Sequence, residues 1–234
     1  MATFSEIQTR VTRRVIDAPA SVVTEVPALI NEAMKALQER HNFRVMETLS
    51  SLYVTVAATR ALAVVPSDWK EARGNPWYVP NTAGPIRPMK YSANRPAVQS
   101  VVNPTDTGYP RFLLESEPTD AGARNLEIWP LSDSRSDYSG GQYRIYVPYW
   151  RFLPALSAGA DTNWFTVNAE EYLIHVATGQ AFSLNWDESR LVLWTQLGEN
   201  KYNQAVKRDK MARLAGVNTL VTHWRGANSP LTSE

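Results

Sequence analysis

Cysteine is absent from the 234-residue chain. That excludes a disulfide framework, a cysteine nucleophile, an iron–sulfur cluster and a thiolate zinc site. An excess of charge of one sign is missing too: 24 basic and 23 acidic side chains leave a formal +1, so no global field draws the chain to nucleic acid or to a membrane. Apolar runs such as Ala61–Pro66 and Leu191–Trp194 fall far short of the roughly 20 residues a spanning helix needs, and no segment near Met1 reads as a secretory signal. Histidine is scarce, and His41, His175 and His223 show no His-Glu-x-x-His spacing. A phosphate loop, a Gly-x-Gly-x-x-Gly turn and a Gly-x-Ser-x-Gly elbow are all lacking. Gly140-Gly141 reads as a hairpin turn, and Asp133 and Asp137 as solvated turn residues. Carboxylates could pair as a glycosidase acid and base, but the separation of about 5–10 Å that such chemistry needs is not legible in a sequence. No catalytic residue, metal site or cofactor site is read, and the chain is expected not to be an enzyme.

What is present is a core. Hydrophobic residues make up 44% and charged residues 20%, enough apolar surface to offset the entropy of ordering. Proline is segregated, with 12 of 15 between Pro66 and Pro154. Proline breaks helix interiors, so that stretch should hold strands and loops, and the ends helices. Thr3 and Glu6 have capping-box spacing ahead of Phe4, Ile7, Val11 and Val15. A second helix is predicted from Ser21 or Thr24, with Pro27 in its first turn, an apolar face from Val26 to Leu37, and Asn42 as its C-terminal cap.

The middle alternates with period two. Leu52, Val54 and Val56 form one strand, and Tyr143, Ile145, Val147 and Tyr149 another. Shorter strands are predicted at Ala61–Val65, Gln99–Val102, Arg111–Leu114 and Leu126–Trp129. The loop Ser132–Gly141 reads as a hairpin tip joining Leu126–Trp129 to Gln142–Tyr149. Asn75–Ala97 and Thr105–Pro110 show no periodicity, and loops that long tend to be functional. Helices return as a stripe from Ala169 to Leu184, where Gly179 would admit a close neighbour. A further helix, capped by Asn185 or Asp187, should end at Gly216.

These signals give an α+β fold: a helical bundle built from both termini (1–42 plus 163–216), an inserted antiparallel β region (43–162) and a C-terminal tail (217–234). The tail holds His223, Trp224 and Arg225. Eight tryptophans read as core, as a sugar-binding platform, or as partner anchors, with Trp69, Trp77 and Trp150 the anchor candidates. Residues 111–190 carry 6 basic and 11 acidic groups, net −5, and residues 191–234 carry 6 and 3, net +3. Lys207, Arg208, Lys210 and Arg213 cluster on one helix as candidate subunit or partner contacts, and the acidic middle could meet them in a neighbouring copy. The competing reading is a solvated helix end favouring cations.

The order of signals resembles the head-to-tail adaptor (connector) proteins of tailed bacteriophages. The resemblance runs from Phe4–Val15 through Leu29–Leu37 with Arg40-His-Asn-Phe43, then Val65-Pro-Ser-Asp-Trp69, Gly108-Tyr-Pro110 and Leu126-Glu-Ile-Trp-Pro130. It continues through Tyr146-Val-Pro-Tyr-Trp150, Leu153-Pro-Ala-Leu156, Asn163-Trp164 and Asp187-Glu188. It implies a structural virion protein made in the bacterial host cytoplasm and placed in the neck. There a ring homo-oligomer, a dodecamer, would sit beneath the portal protein and meet tail or nozzle proteins. Double-stranded DNA would pass through its channel during ejection without sequence-specific binding, and no membrane or cofactor would be involved. The tail would dock into the portal through Trp224. Neutral charge suits such a channel, because a basic lining would hold phosphates. A carbohydrate-binding or carbohydrate-active protein using the Trp-rich β region is the alternative from another class. A tail terminator or gatekeeper is a third reading. A nucleic-acid-binding module comes last for want of a basic stripe.

Overall fold

A computed structural model describes residues 2–55, 62–78, 86–103, 105–115, 125–132 and 142–227. Its helices, in chain order, are α1 (Phe4–Arg14), α2 (Ala20–Arg40), α3 (Arg95–Gln99), α4 (Trp164–Asn168), α5 (Glu170–Leu184) and α6 (Glu188–Ala227). The strands are β1 (Glu47–Thr55), β2 (Leu62–Val64), β3 (Trp69–Ala72), β4 (Trp77–Tyr78), β5 (Arg87–Pro88), β6 (Lys90–Ser92), β7 (Thr107–Gly108), β8 (Phe112–Glu115), β9 (Asn125–Trp129), β10 (Leu131–Ser132) and β11 (Gln142–Arg151). The fold is α+β. Two compact units divide it: Met1–Val45 with Pro154–Glu234, and Met46–Leu153.

The first unit is helical, and α1, α2 and α6 all pack on α5. Helix α1 starts where its capping box predicts: the Glu6 N–H donates to Thr3 Oγ1 at 3.3 Å, and the Thr3 N–H to Glu6 Oε2 at 2.9 Å. Phe4, Ile7, Val11 and Val15 are its buried face. Helix α2 begins earlier than expected, at Ala20 after Pro19, so Pro27 lies inside it rather than in its first turn. An interior proline costs about 3 kcal/mol; burial of Val22 and Val26 on the core face holds that extra turn and a half. The C-cap is His41, in extended conformation, not Asn42. Helix α5 is buried nearly all round, through Tyr172, Leu173, Ile174, His175, Ala177, Thr178, Ala181 and Phe182. Helix α6 does not stop at Gly216. It runs on to Ala227, so His223, Trp224 and Arg225 lie on helical backbone rather than in an irregular tail.

The second unit carries two main sheets. In one, β11 pairs antiparallel with β1 over nine residues, from Glu47↔Trp150 to Thr55↔Gln142, and with β4 and β3 on its other side. The other has the order β2-β9-β8-β6, with β6 and β8 parallel. The expected hairpin between Leu126–Trp129 and Gln142–Tyr149 is therefore not formed, since those strands belong to different sheets. Residues 133–141 of its tip, like Val56 and Ala61, lie outside the described residues. Both faces of β9 are covered. Leu126 and Ile128 join a core with Leu52, Tyr78, Ile145 and Val147, while Trp129 joins Val98, Val102 and Leu114. That second cluster explains why Gln99–Val102 is not a strand. Val98 and Val102 sit at helical spacing, and Asn94 caps α3 by accepting from the Ala97 N–H at 3.1 Å. The aperiodic segment 75–97 holds β4, β5 and β6, strands too short to show a period.

Helices α5 and α6 approach closely because two glycines face the crossing. A Cβ at Gly179 would lie 3.3 Å from Trp194 Cβ, and one at Gly198 would lie 2.9 Å from Val176 Cγ2. Alanine is better than glycine in a helix interior by about 1 kcal/mol, but overpacking costs about 1–3 kcal/mol and the β-branched Val176 yields poorly. Gly198→Ala is expected to lower the urea midpoint of the full chain; an unchanged or raised midpoint would show that the helices are free to separate.

Candidate assembly surfaces

The four basic residues of the α6 cluster have different fates. Arg213 is half-buried, and its Nε donates to Asp209 Oδ2 at 3.1 Å while its guanidinium also donates to the Asn42 carbonyl. It is tied into the subunit's own fold, with 37% of its side chain left exposed. Asp209, 2% exposed, is the hub that the sequence reading missed. Its Oδ1 accepts the Arg44 N–H at 2.8 Å, and its Oδ2 lies 3.1 Å from His41 Nε2. A carboxylate amid basic neighbours reads as a solvated charge; that it faces inward follows only from the phase of the helix, half a turn from Lys207. Lys207, Arg208 and Lys210 are exposed, with Arg208 Nη1 donating to the Asn168 carbonyl at 3.2 Å.

The tryptophan anchors are also redistributed. Trp69 and Trp150 are 7% and 8% exposed, and Trp69 stacks on Tyr149 with centroids 4.8 Å apart. Neither has a free ring face for a partner, and with Trp129 buried as well, three of the rings of a sugar platform are core. Trp77 is half-buried and stacked on Tyr146 at 5.9 Å. One tryptophan that no pattern singled out is on the surface: Trp186, 91% exposed at φ 59° in the turn between α5 and α6. Exposed Leu184, Val192 and Leu193 lie on the helices it joins. Asp187 caps α6 as expected, its Oδ1 accepting from the Arg190 N–H at 3.1 Å.

Several described acidic groups of the middle stretch are occupied within the chain. Glu127 takes Arg95 and the Trp129 Nε1–H, Glu115 accepts from the Tyr91 hydroxyl, and Glu170 pairs with Arg10. Asp161 accepts the Ser157 and Ala158 N–H groups at 2.7 Å each, which holds its carboxyl below the ordinary range. An open cleft of about 970 Å³ in the second unit is lined by Tyr78, Arg87, Tyr109 and Arg111, with Arg87 4.2 Å above the Tyr109 ring. It brings cations and aromatics together, and Asp106 is its one carboxylate among the described residues. Among the described residues no group of three His, Asp or Glu could hold a metal ion.

His175 is buried on α5, with Nε2 3.5 Å from Glu171. Burial first, then Arg14, lowers its pKa below the ordinary 6.5, against the pull of Glu171. The unfolded chain therefore takes up the proton more readily, and the contribution of His175 to stability is complete above about pH 6.5 and lost as pH falls through the folded value. His175→Gln is expected to flatten the fall in thermal midpoint between pH 7 and 5; a slope equal to wild type would exclude His175 as its source. Asp209→Asn is expected to cost about 1.5–3 kcal/mol, the range for hydrogen bonds to a charged group, whereas Lys207→Ala should stay within about 0.5 kcal/mol. Equal urea midpoints for the two variants would refute the hub.

The family model described as SU10 adaptor protein matches residues 2–221 of the chain. No curated protein matches it.

Proposed function

The chain belongs to the SU10 adaptor protein family, a family of bacteriophage head-to-tail adaptors, and from this we propose that it forms a ring beneath the portal, joining capsid to tail and lining the path of DNA. Its class is that of a structural component of the virion neck assembled with other head and tail proteins. The observation that carries the reading is the extent of the match, which runs through both compact units rather than along one. A dodecamer is the proposed ring, with DNA passing through it during ejection without sequence-specific contacts.

Two features support mechanical over chemical work. Charged groups form struts such as the Arg40–Glu199 pair, 2.6 Å, which raises the Arg40 pKa and lowers that of Glu199. Large apolar side chains are left outside, at Ile16, Leu184, Trp186, Met211 and Leu214, as surfaces awaiting partners are. The portal-docking element is proposed to be the end of α6. At 1.5 Å per residue its 40 residues span about 60 Å, against about 22 Å for the 15 of α5, so it outruns the helix it packs on. In sequence, Met211, Leu214, Val217, Val221 and Trp224 recur there at steps of three and four, a pattern suited to laying one apolar face in a groove.

Electron microscopy of the purified protein, alone and with the cognate portal, should show closed rings stacked on the portal. Deleting residues 217–234 should leave the subunit folded and abolish portal occupancy. Full occupancy by the truncated form would refute docking through this segment, and absence of rings under both conditions would refute the ring.

A further inference from the structure

Two outward helix faces of the helical unit carry opposite charge. On α2, Glu25, Glu32 and Glu39 recur every seven residues and so line up along one side, all exposed. Glu25 and Glu32 make no ion pair among the described residues, while Lys35 lies 3.9 Å from Glu39. Ala28, exposed between the first two, leaves the stripe low enough for another helix to approach. On α6, Lys207 and Lys210 are exposed and likewise without an ion pair among the described residues. Beside them Met211 and Leu214 are 56% and 63% exposed. The buried residues Gly198, Ala205 and Asp209 mark the opposite side of α6. Since α2 and α6 each pack on α5, these two stripes are separate surfaces of one unit.

We infer that the α2 stripe of one copy seats on the α6 stripe of the next, with Glu25 and Glu32 facing Lys207 and Lys210. This rests on the ring reading above and assigns its subunit contact. The sign of the stripes rules against either stripe pairing with itself, carboxylate on carboxylate or ammonium on ammonium, and head-to-tail pairing of the two unlike stripes can close a ring. Exposed ion pairs add little affinity, so the charges set register and orientation while Met211 and Leu214, covered by the neighbour, supply burial. Those two side chains also favour a protein over DNA as the occupant, because a phosphate backbone offers nothing to cover them. The acidic middle of the chain is the poorer complement, its described carboxylates being engaged internally at Glu115, Glu127 and Glu170.

The test uses two charge-reversed full-length variants, Glu25→Lys with Glu32→Lys, and Lys207→Glu with Lys210→Glu. Ring formation is read by mass photometry and microscopy under conditions where wild type forms rings, with portal present where it is needed. Each variant alone should show at least a tenfold loss of rings at low salt, recovering partly near 0.5 M salt, where the Debye length falls to about 4 Å. An equimolar mixture should restore rings, because alternating copies again match acid to base at every contact. Normal rings from either variant alone, or no rescue on mixing, overturns this contact while leaving the ring reading intact. Intact rings with lost DNA retention in the Lys207/Lys210 variant would instead assign the basic stripe to DNA. No ring from wild type under any condition overturns both readings.

Discussion

The close crossing of α5 and α6 at Gly179 and Gly198 is the contact on which the helical unit depends. A helix buried on all sides cannot be covered by one neighbour, and α5 presents Tyr172, Leu173, Ile174 and Phe182 around its circumference. With α6 drawn tight against one side, the others are left for α1 and α2. Those helices come from the far end of the chain, and neither can bury its own apolar face alone. Phe4 and Ser5 donate their N–H groups to the Asp161 and Gly159 carbonyls at 2.9 Å each, and Asn31 exchanges two hydrogen bonds with the backbone of Leu156. The loop ahead of α4 is thus stitched to both N-terminal helices. Closing this unit from residues more than a hundred apart makes every helix in it conditional on the rest, a high-contact-order arrangement.

Much of this was legible where one local interaction decides the outcome. The Thr3–Glu6 box fixes the start of α1, and the alternation from Tyr143 to Tyr149 fixes a strand with Ile145, Val147 and Tyr149 inward. Gly179 marked a close approach before its neighbour was known. Legibility failed where tertiary burial outweighs local chemistry. Pro27 signals a helix start, yet Val22 and Val26 extend α2 upstream of it. Val98 and Val102 look β-branched and strand-like until the Trp129 cluster buries both at helical spacing. The pairing of β9 with β2 and β8, not β11, is a choice among partners, and period-two alternation says which face is buried but not which strand lies alongside.

The site residues divide along the same line. Composition located a basic cluster at 207–213, but only helical phase separates its members. Lys207 and Lys210 lie outward, whereas Asp209 and Arg213 turn in toward His41, Asn42 and Arg44. Trp69 and Trp150 were plausible anchors by type, and their burial makes them core. Trp186 carried no signal, because an exposed tryptophan in a short polar turn is indistinguishable in sequence from a buried one.

A carboxylate held by three basic or N–H partners, as Asp209 is, has little chemistry left to offer; its lone pairs are committed. Glu127 is engaged by Arg95 and the Trp129 indole, and Glu199 by the Arg40 guanidinium, so these carboxylates also brace the fold. What remains uncommitted is of another kind: apolar side chains at the α5–α6 turn and on α6, and unpaired charges in rows of opposite sign. Groups of that sort lower their free energy only by meeting another surface. On the proposed ring reading, the folded subunit leaves the burial of those apolar side chains to be finished by its neighbours. In the contact proposed above, Glu25 and Glu32 of α2 meeting Lys207 and Lys210 of α6 would give that burial a direction of growth.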